Sequence, residues 1–151
     1  MQIRKIMRKS VIWCDASITA QEAAALMKKH GVGTLPVIED VDSRKVVGMV
    51  TDRDLCIKVV AAGIDPRFAS VRECMNTDVM TCHTTIDATE ALEFMRRGRV
   101  RRLPVTNRFG GLIGIVSIDD IARARAAKTE EISDALAVIG TPLDQERPKV
   151  A

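Results

Sequence analysis

The residues best suited to chemistry are a glycine, a hydroxyl and a carboxylate at fixed spacing, and the chain carries this set in two places. One is Gly48-Met49-Val50-Thr51-Asp52-Arg53-Asp54, the other Gly114-Ile115-Val116-Ser117-Ile118-Asp119-Asp120. In both, an apolar strand-like run leads to Thr or Ser, and an Asp follows one helical turn later on the same side. A helix N-terminus favours an anion, and a hydroxyl beside a carboxylate can grip a vicinal diol, so a sugar carrying a phosphate is the natural guest. The plainer reading is capping, because Thr and Ser are ordinary N-caps and Asp in a first turn complements the helix dipole. Duplication of all three residues moves the weight towards a site.

The elements that position these motifs are themselves repeated. Ser17-Ile18-Thr19-Ala20-Gln21-Glu22-Ala23 returns as Thr85-Ile86-Asp87-Ala88-Thr89-Glu90-Ala91, and Leu35-Pro36-Val37 as Leu103-Pro104-Val105. Each copy reads β-α-β-β-α, and each leaves an apolar face for its partner to cover. Apolar runs at Val11–Cys14 and Val79–Cys82 predict first strands. Thr19 with Glu22, and Asp87 with Glu90, fit capping boxes that start helices near Ala20 and Ala88. Gly31 and Gly98 are the corresponding helix stops. Two strands follow in each copy: Thr34 to Glu39 with Val46 to Thr51, and Arg102 to Thr106 with Leu112 to Ser117. The second helix of copy one runs from Asp52 to Gly63, with an apolar stripe at Leu55, Val59 and Ala62 that could serve a dimer or the chain's own core. Its counterpart starts near Ile118 and continues to about Val138, before a proline-containing, charged tail expected to fray. The expected organisation is a first repeat at 1–68, a second at 69–125, and a helical extension with tail at 126–151.

Composition narrows the function classes. The chain has 151 residues, 46% of them apolar but only 3% aromatic, so Val, Ile, Leu, Met and Ala must build the core. A net charge of +3 is too mild to argue for nucleic acid. The four cysteines contain no C-x-x-C pair, which argues against zinc fingers and thioredoxin-type sites. No run approaches the roughly 18 apolar residues of a membrane helix, and Asp15 cuts short any signal-peptide core. The expected setting is cytoplasmic, with reduced thiols. No nucleophile–base pair is recognisable and tyrosine is absent, so no enzyme activity is expected.

Taken together, the motifs resemble a tandem pair of CBS domains, the Bateman module, whose repeat is named after cystathionine β-synthase. Ile6-Met7 and Cys74-Met75, Glu22-Ala23 and Glu90-Ala91, Gly33-Thr34-Leu35-Pro36-Val37 and Arg101-Arg102-Leu103-Pro104-Val105 carry the likeness along with the two glycine motifs. The resemblance implies an α/β fold of two repeats packed about a pseudo-twofold axis, here with an extended C-terminal helix. It also implies two clefts for adenosine ligands such as AMP, ADP, ATP or S-adenosylmethionine, with no obligatory cofactor. Carried over, Asp54, Thr51 and Met49 serve one cleft as ribose, ribose-or-phosphate and adenine contacts, and Asp120, Ser117 and Ile115 serve the other. A homodimer and an effector protein in trans are implied as partners.

The copies differ before Leu-Pro-Val, where Gly33-Thr34 stands against Arg101-Arg102. An arginine pair suits a phosphate through bidentate contacts, in its own cleft or across the pseudo-twofold, or else it merely charges a strand edge. Unequal clefts are expected. His30 reads as a helix C-terminal charge, and Cys14, Cys82 and His83 as packing rather than metal ligands. The rival functions are a ligand-free scaffold and, less favoured, nucleic-acid binding through Arg96, Arg97, Arg99, Arg101 and Arg102, which lack an aromatic stacking platform.

Overall fold

A computed structural model describes residues 1–141. The elements are β1 (Cys14–Asp15), α1 (Ala20–His30), β2 (Thr34–Ile38), β3 (Val46–Thr51) and α2 (Asp52–Leu55), which continues as a π-type turn over Cys56–Val60. After α3 (Val71–Cys74) the order recurs as β4 (Cys82–His83), α4 (Ala88–Gly98), β5 (Arg102–Thr106), β6 (Leu112–Ser117) and α5 (Ile118–Arg123), and α6 (Thr129–Gly140) follows. Two three-stranded sheets result, β1-β2-β3 and β4-β5-β6, each with one parallel and one antiparallel pair. Among the described residues no helix is long and apolar enough to cross a membrane. The expected fraying of the tail concerns residues 142–151, outside the described residues.

The sheets match residue for residue. Leu35 pairs with Val50 as Leu103 pairs with Val116, and the register shifts after Val37 and again after Val105. Each central strand contains a proline, which can donate no ladder hydrogen bond. The proline is tolerated because its partner turns away: Pro36 faces Met49, whose carbonyl accepts from Asn76 N–H, and Pro104 faces Ile115, whose carbonyl accepts from Arg8 N–H.

The opening segment of each repeat packs on the other repeat. Ile3 is fully buried in the core of the second repeat, beside Leu103 and Val116, whereas Val71 and Cys74 lie in the core of the first. Backbone hydrogen bonds fix the exchange symmetrically: Ile3 and Arg4 donate to Ile86 and Thr84, Val71 and Arg72 to Ile18 and Ala16. Methionines then press on the motif glycines. A Cβ at Gly48 would sit 2.6 Å from Met75 Sδ, and one at Gly114 would sit 2.9 Å from Met7 Sδ and 3.0 Å from Arg8 O. These glycines serve close approach, since neither has positive φ.

Several local expectations change. Only Cys14–Asp15 and Cys82–His83 pair as first strands, because the parallel register reaches no further back. The helix expected to run from Ile118 to Val138 is two helices. Arg125 adopts φ 50°, and Lys128 opens a new cap by donating its N–H to Glu131. Asp87 does not cap α4 with its side chain; its carboxylate instead meets the N-terminal ammonium at 3.2 Å. Helix α4 includes Gly98, and Arg99 takes the left-handed turn (φ 52°); the glycine at 98 serves close approach instead, since a Cβ there would meet Met80 Sδ at 2.8 Å. Of the stripe, Leu55 and Val59 are buried in the chain's own core and only Ala62 is exposed, whereas Ile57 and Val60 on the π-type turn are exposed.

If the exchanged segment is structural, Ile3→Ala should cost about 2–5 kcal/mol, as for a core isoleucine. Urea unfolding measures this, and a loss within about 0.5 kcal/mol would mark the segment as a dispensable surface arm.

Candidate functional site

Each glycine motif ends its strand and starts the following helix through a reciprocal cap. Thr51 N–H and Oγ1 donate to Asp54 Oδ2 at 2.9 Å each, and Asp54 N–H returns to Thr51 Oγ1 at 3.1 Å. Ser117 and Asp120 repeat this, with Ser117 N–H 3.0 Å from Asp120 Oδ2 and Asp120 N–H 3.2 Å from Ser117 Oγ. The capping reading is therefore realised in both copies, and it fixes where each hydroxyl points.

The second carboxylate oxygen meets a cation in each copy. Lys58 Nζ lies 3.3 Å from Asp54 Oδ1 and also donates to Cys74 O at 2.8 Å. Asp120 Oδ1 accepts from Arg8 Nε at 3.0 Å and Arg123 Nη2 at 3.3 Å. Burial pushes the Asp120 carboxyl up, but the Ser117 hydroxyl, Arg8 and the Ser117 amide together hold it below the usual carboxylate range.

Among the described residues two unequal clefts lie between the repeats. The larger, about 1000 Å³, is lined by Met49 and Thr51 on one side and Arg101, Arg102 and Pro104 on the other. The arginine pair thus crosses the pseudo-twofold to face the first motif. The smaller, about 140 Å³, brings Ile115, Ser117 and Asp120 together with Arg8, Thr34 and Arg102. Arg102 lines both, with Nη1 donating to Thr34 Oγ1 at 3.2 Å. Asp54 lines neither cleft and stands behind Thr51.

Several lining residues escaped the motif reading. Asn76, Asp78, Val79 and Met80 wall the large cleft, with Asp52 and Arg53 from the first turn of α2. Arg97 also contributes, paired with Glu93 at 2.8 Å. Ile139 of α6 reaches the same cleft, and Arg99 ties that helix down by donating to Thr141 O at 2.9 Å and Val138 O at 3.4 Å. The repeated lead-in was the available signal for the first group. Gly33 is confined by Asp52, since a Cβ there would meet Asp52 Oδ2 at 2.7 Å.

The thiols stand apart from the clefts. Cys14 and Cys82 lie in separate cores, and burial pushes each thiol up to about 12, so neither supplies a thiolate near neutral pH. His83 Nδ1 lies 3.3 Å from Thr106 O. Among the described residues no cluster of three or more His, Cys, Asp or Glu could hold a metal ion.

Asp120 should give stability a pH signature. Its depressed folded pKa makes the contribution complete above the ordinary value near 3.8 and lost as pH falls through the lower folded value. Urea unfolding between pH 7 and pH 2.5 (a chosen range) should show a shallower acid loss in Asp120→Asn than in the wild type. Identical acid limbs would contradict the placement of this carboxylate.

Comparison with known proteins gives one family. The CBS domain model matches residues 3–61 and 71–127. Hypoxic response protein 1 of Mycobacterium tuberculosis is 38% identical over 120 residues, which cover 80% of this chain and 82% of that protein. Its crystal structure, with two coordinated zinc ions, superposes at a TM-score of 0.74 with 37% identity, covering 82% of this chain and 98% of that one. The uncharacterized protein MK0525 of Methanopyrus kandleri is 35% identical over 121 residues, 80% of this chain but only 61% of that protein's length. The CBS domain pair of protein MJ0100, in complex with 5'-methylthioadenosine and S-adenosyl-L-methionine, matches at a TM-score of 0.73 with 26% identity, covering 83% of this chain and 95% of that one. The fold, the two matched segments and these relatives agree: the chain belongs to the CBS domain family and carries a tandem pair of the repeats.

Proposed function

We propose that this CBS pair is a non-enzymatic, cytoplasmic sensor that binds an adenosine ligand bearing a phosphate, and that a separate effector protein reads its occupancy. The observation that carries the reading is the convergence of Arg101 and Arg102 of one repeat on Met49 and Thr51 of the other, across a cleft of about 1000 Å³. That volume is at the upper end of small-molecule sites, and its walls combine an apolar face with a few polar anchors. Met49 and Val79 offer the apolar surface for a base, Thr51 a hydroxyl for ribose or phosphate, and the two guanidiniums bidentate donors for phosphate oxygens. Asp54 acts one step back, holding Thr51 in its rotamer rather than touching the ribose itself. The adenosine ligands bound by the MJ0100 pair support the choice of ligand class.

A route from site to partner follows from the packing. Arg99 and Ile139 belong to the cleft wall and also engage the end of α6. A phosphate that draws Arg99 away from the Thr141 carbonyl shifts the helix between attached and released populations. Homodimerisation belongs to the same reading, with the exposed Ile57 and Val60 as its apolar surface. The asymmetry of the clefts favours a sensor over a scaffold with both sites degenerate.

Calorimetric titration with AMP, ADP, ATP and S-adenosylmethionine tests the reading. Removing a charged hydrogen-bond partner costs about 1.5–3 kcal/mol. Arg101→Ala and Arg102→Ala should therefore each weaken phosphorylated ligands roughly 10- to 100-fold. S-adenosylmethionine, which has no phosphate, should respond less. Silence from all four ligands would defeat the sensor reading, and affinities unchanged by both substitutions would defeat the site.

A further inference from the structure

The pseudo-symmetry brings two residues to equivalent places, Arg8 and Asn76, and only one carries a charge. Each is anchored by a pair of backbone hydrogen bonds to the apolar residue of the motif it covers. Arg8 exchanges bonds of 2.9 and 3.0 Å with Ile115, and Asn76 exchanges bonds of 2.8 and 3.0 Å with Met49. The side chains then diverge. Asn76 joins the wall of the large cleft as a neutral amide. Arg8 places Nε 3.0 Å from Asp120 Oδ1, inside the small cleft that the second motif would offer a ligand.

Nothing on that carboxylate remains open. Ser117 takes Oδ2, Arg8 and Arg123 share Oδ1, and the Asp120 side chain is 9% exposed. A surface ion pair ordinarily contributes little, because both side chains must be ordered to make it. Here one partner is nearly buried and fixed as a helix cap, and the other hangs from a pinned backbone, so less ordering is needed. The remaining space, about 140 Å³, is well under the roughly 300 Å³ at which small-molecule pockets begin.

This inference rests on the reading of the large cleft as a ligand site. We propose that Arg8 is a resident occupant of the second cleft, standing where a ribose diol would meet Asp120, so that each chain takes one adenosine ligand and takes it between Met49 and Arg101. The arginine makes two nearly identical repeats into one site and one strut. A ligand entering the small cleft must first break the charged contact, which lowers its affinity roughly 10- to 100-fold.

The test replaces Arg8 by the residue its counterpart already is. AMP, ADP, ATP and S-adenosylmethionine are titrated calorimetrically into the wild type, Arg8→Asn and Arg8→Gln, with circular dichroism to verify the fold. Arg8 is exposed and its backbone bonds are kept, so one of the two variants should stay folded. The expected result is one site per chain in the wild type and two in either folded variant, the second within about tenfold of the first. A wild type that binds two per chain with affinities within about tenfold of each other overturns the proposal, as does a single site that neither variant changes. The second outcome would leave the large cleft intact as a ligand site. Absence of binding by all three proteins would remove that reading and this proposal together.

Discussion

The contact on which the rest of the structure depends is a methionine pressed onto a glycine across the repeats. Met75 closes on Gly48 and Met7 on Gly114, each at a distance a Cβ would not allow. Behind each methionine, an apolar side chain is buried in the opposite core, Ile3 in one case and Val71 in the other. Neither repeat has a complete core without a segment from its twin, so the pair behaves as one folding unit. Removing apolar groups buried this deeply is costly, because the surrounding packing cannot fully collapse.

The same exchange creates the clefts. Chain that leaves the glycine contact runs along the outer edge of β3 or β6, pairing with Met49 or Ile115, and becomes a cleft wall. The opposite wall comes from the turn after α4 or α1, where Arg99–Arg102 face one motif and Gly31, Val32 and Thr34 the other. Twofold repetition guarantees two clefts of like backbone. What differs is charge and bulk at positions the backbone leaves unconstrained, above all Arg8 against Asn76 and Thr34 against Arg102. Chemical asymmetry of the two clefts thus sits on symmetric scaffolding.

What was legible in the chain was local or repeated. The repeated Leu-Pro-Val triplets and glycine motifs located both hairpins, and Thr19, Thr51 and Ser117 formed the caps their spacing implied. The exchange was not legible, because a short lead-in of Ile, Arg, Lys and Met bears no mark of which repeat it will join. Asp87 shows how such a contact overrides a local rule: the incoming N-terminus claims the carboxylate that would otherwise cap α4. Gly98 shows a glycine kept for another reason than a helix stop: Met80 leaves it no room for a side chain, while the left-handed turn falls on Arg99. For the site, the motif residues Met49 and Thr51 line the large cleft, and the pairing of walls across the axis places Arg101 with Thr51 rather than with Ser117. Asp54 could be seen as a carboxylate of the right spacing, and not as one already spent on its own cap.

On the proposed reading, one cleft is open and the other is filled by the chain itself. A crystal structure of the protein grown with ADP tests this most directly. The expected result is nucleotide density between Met49 and the Arg101–Arg102 pair, with Arg8 still on Asp120. Density for a nucleotide at Ser117 and Asp120, with the Arg8 guanidinium displaced, would contradict it.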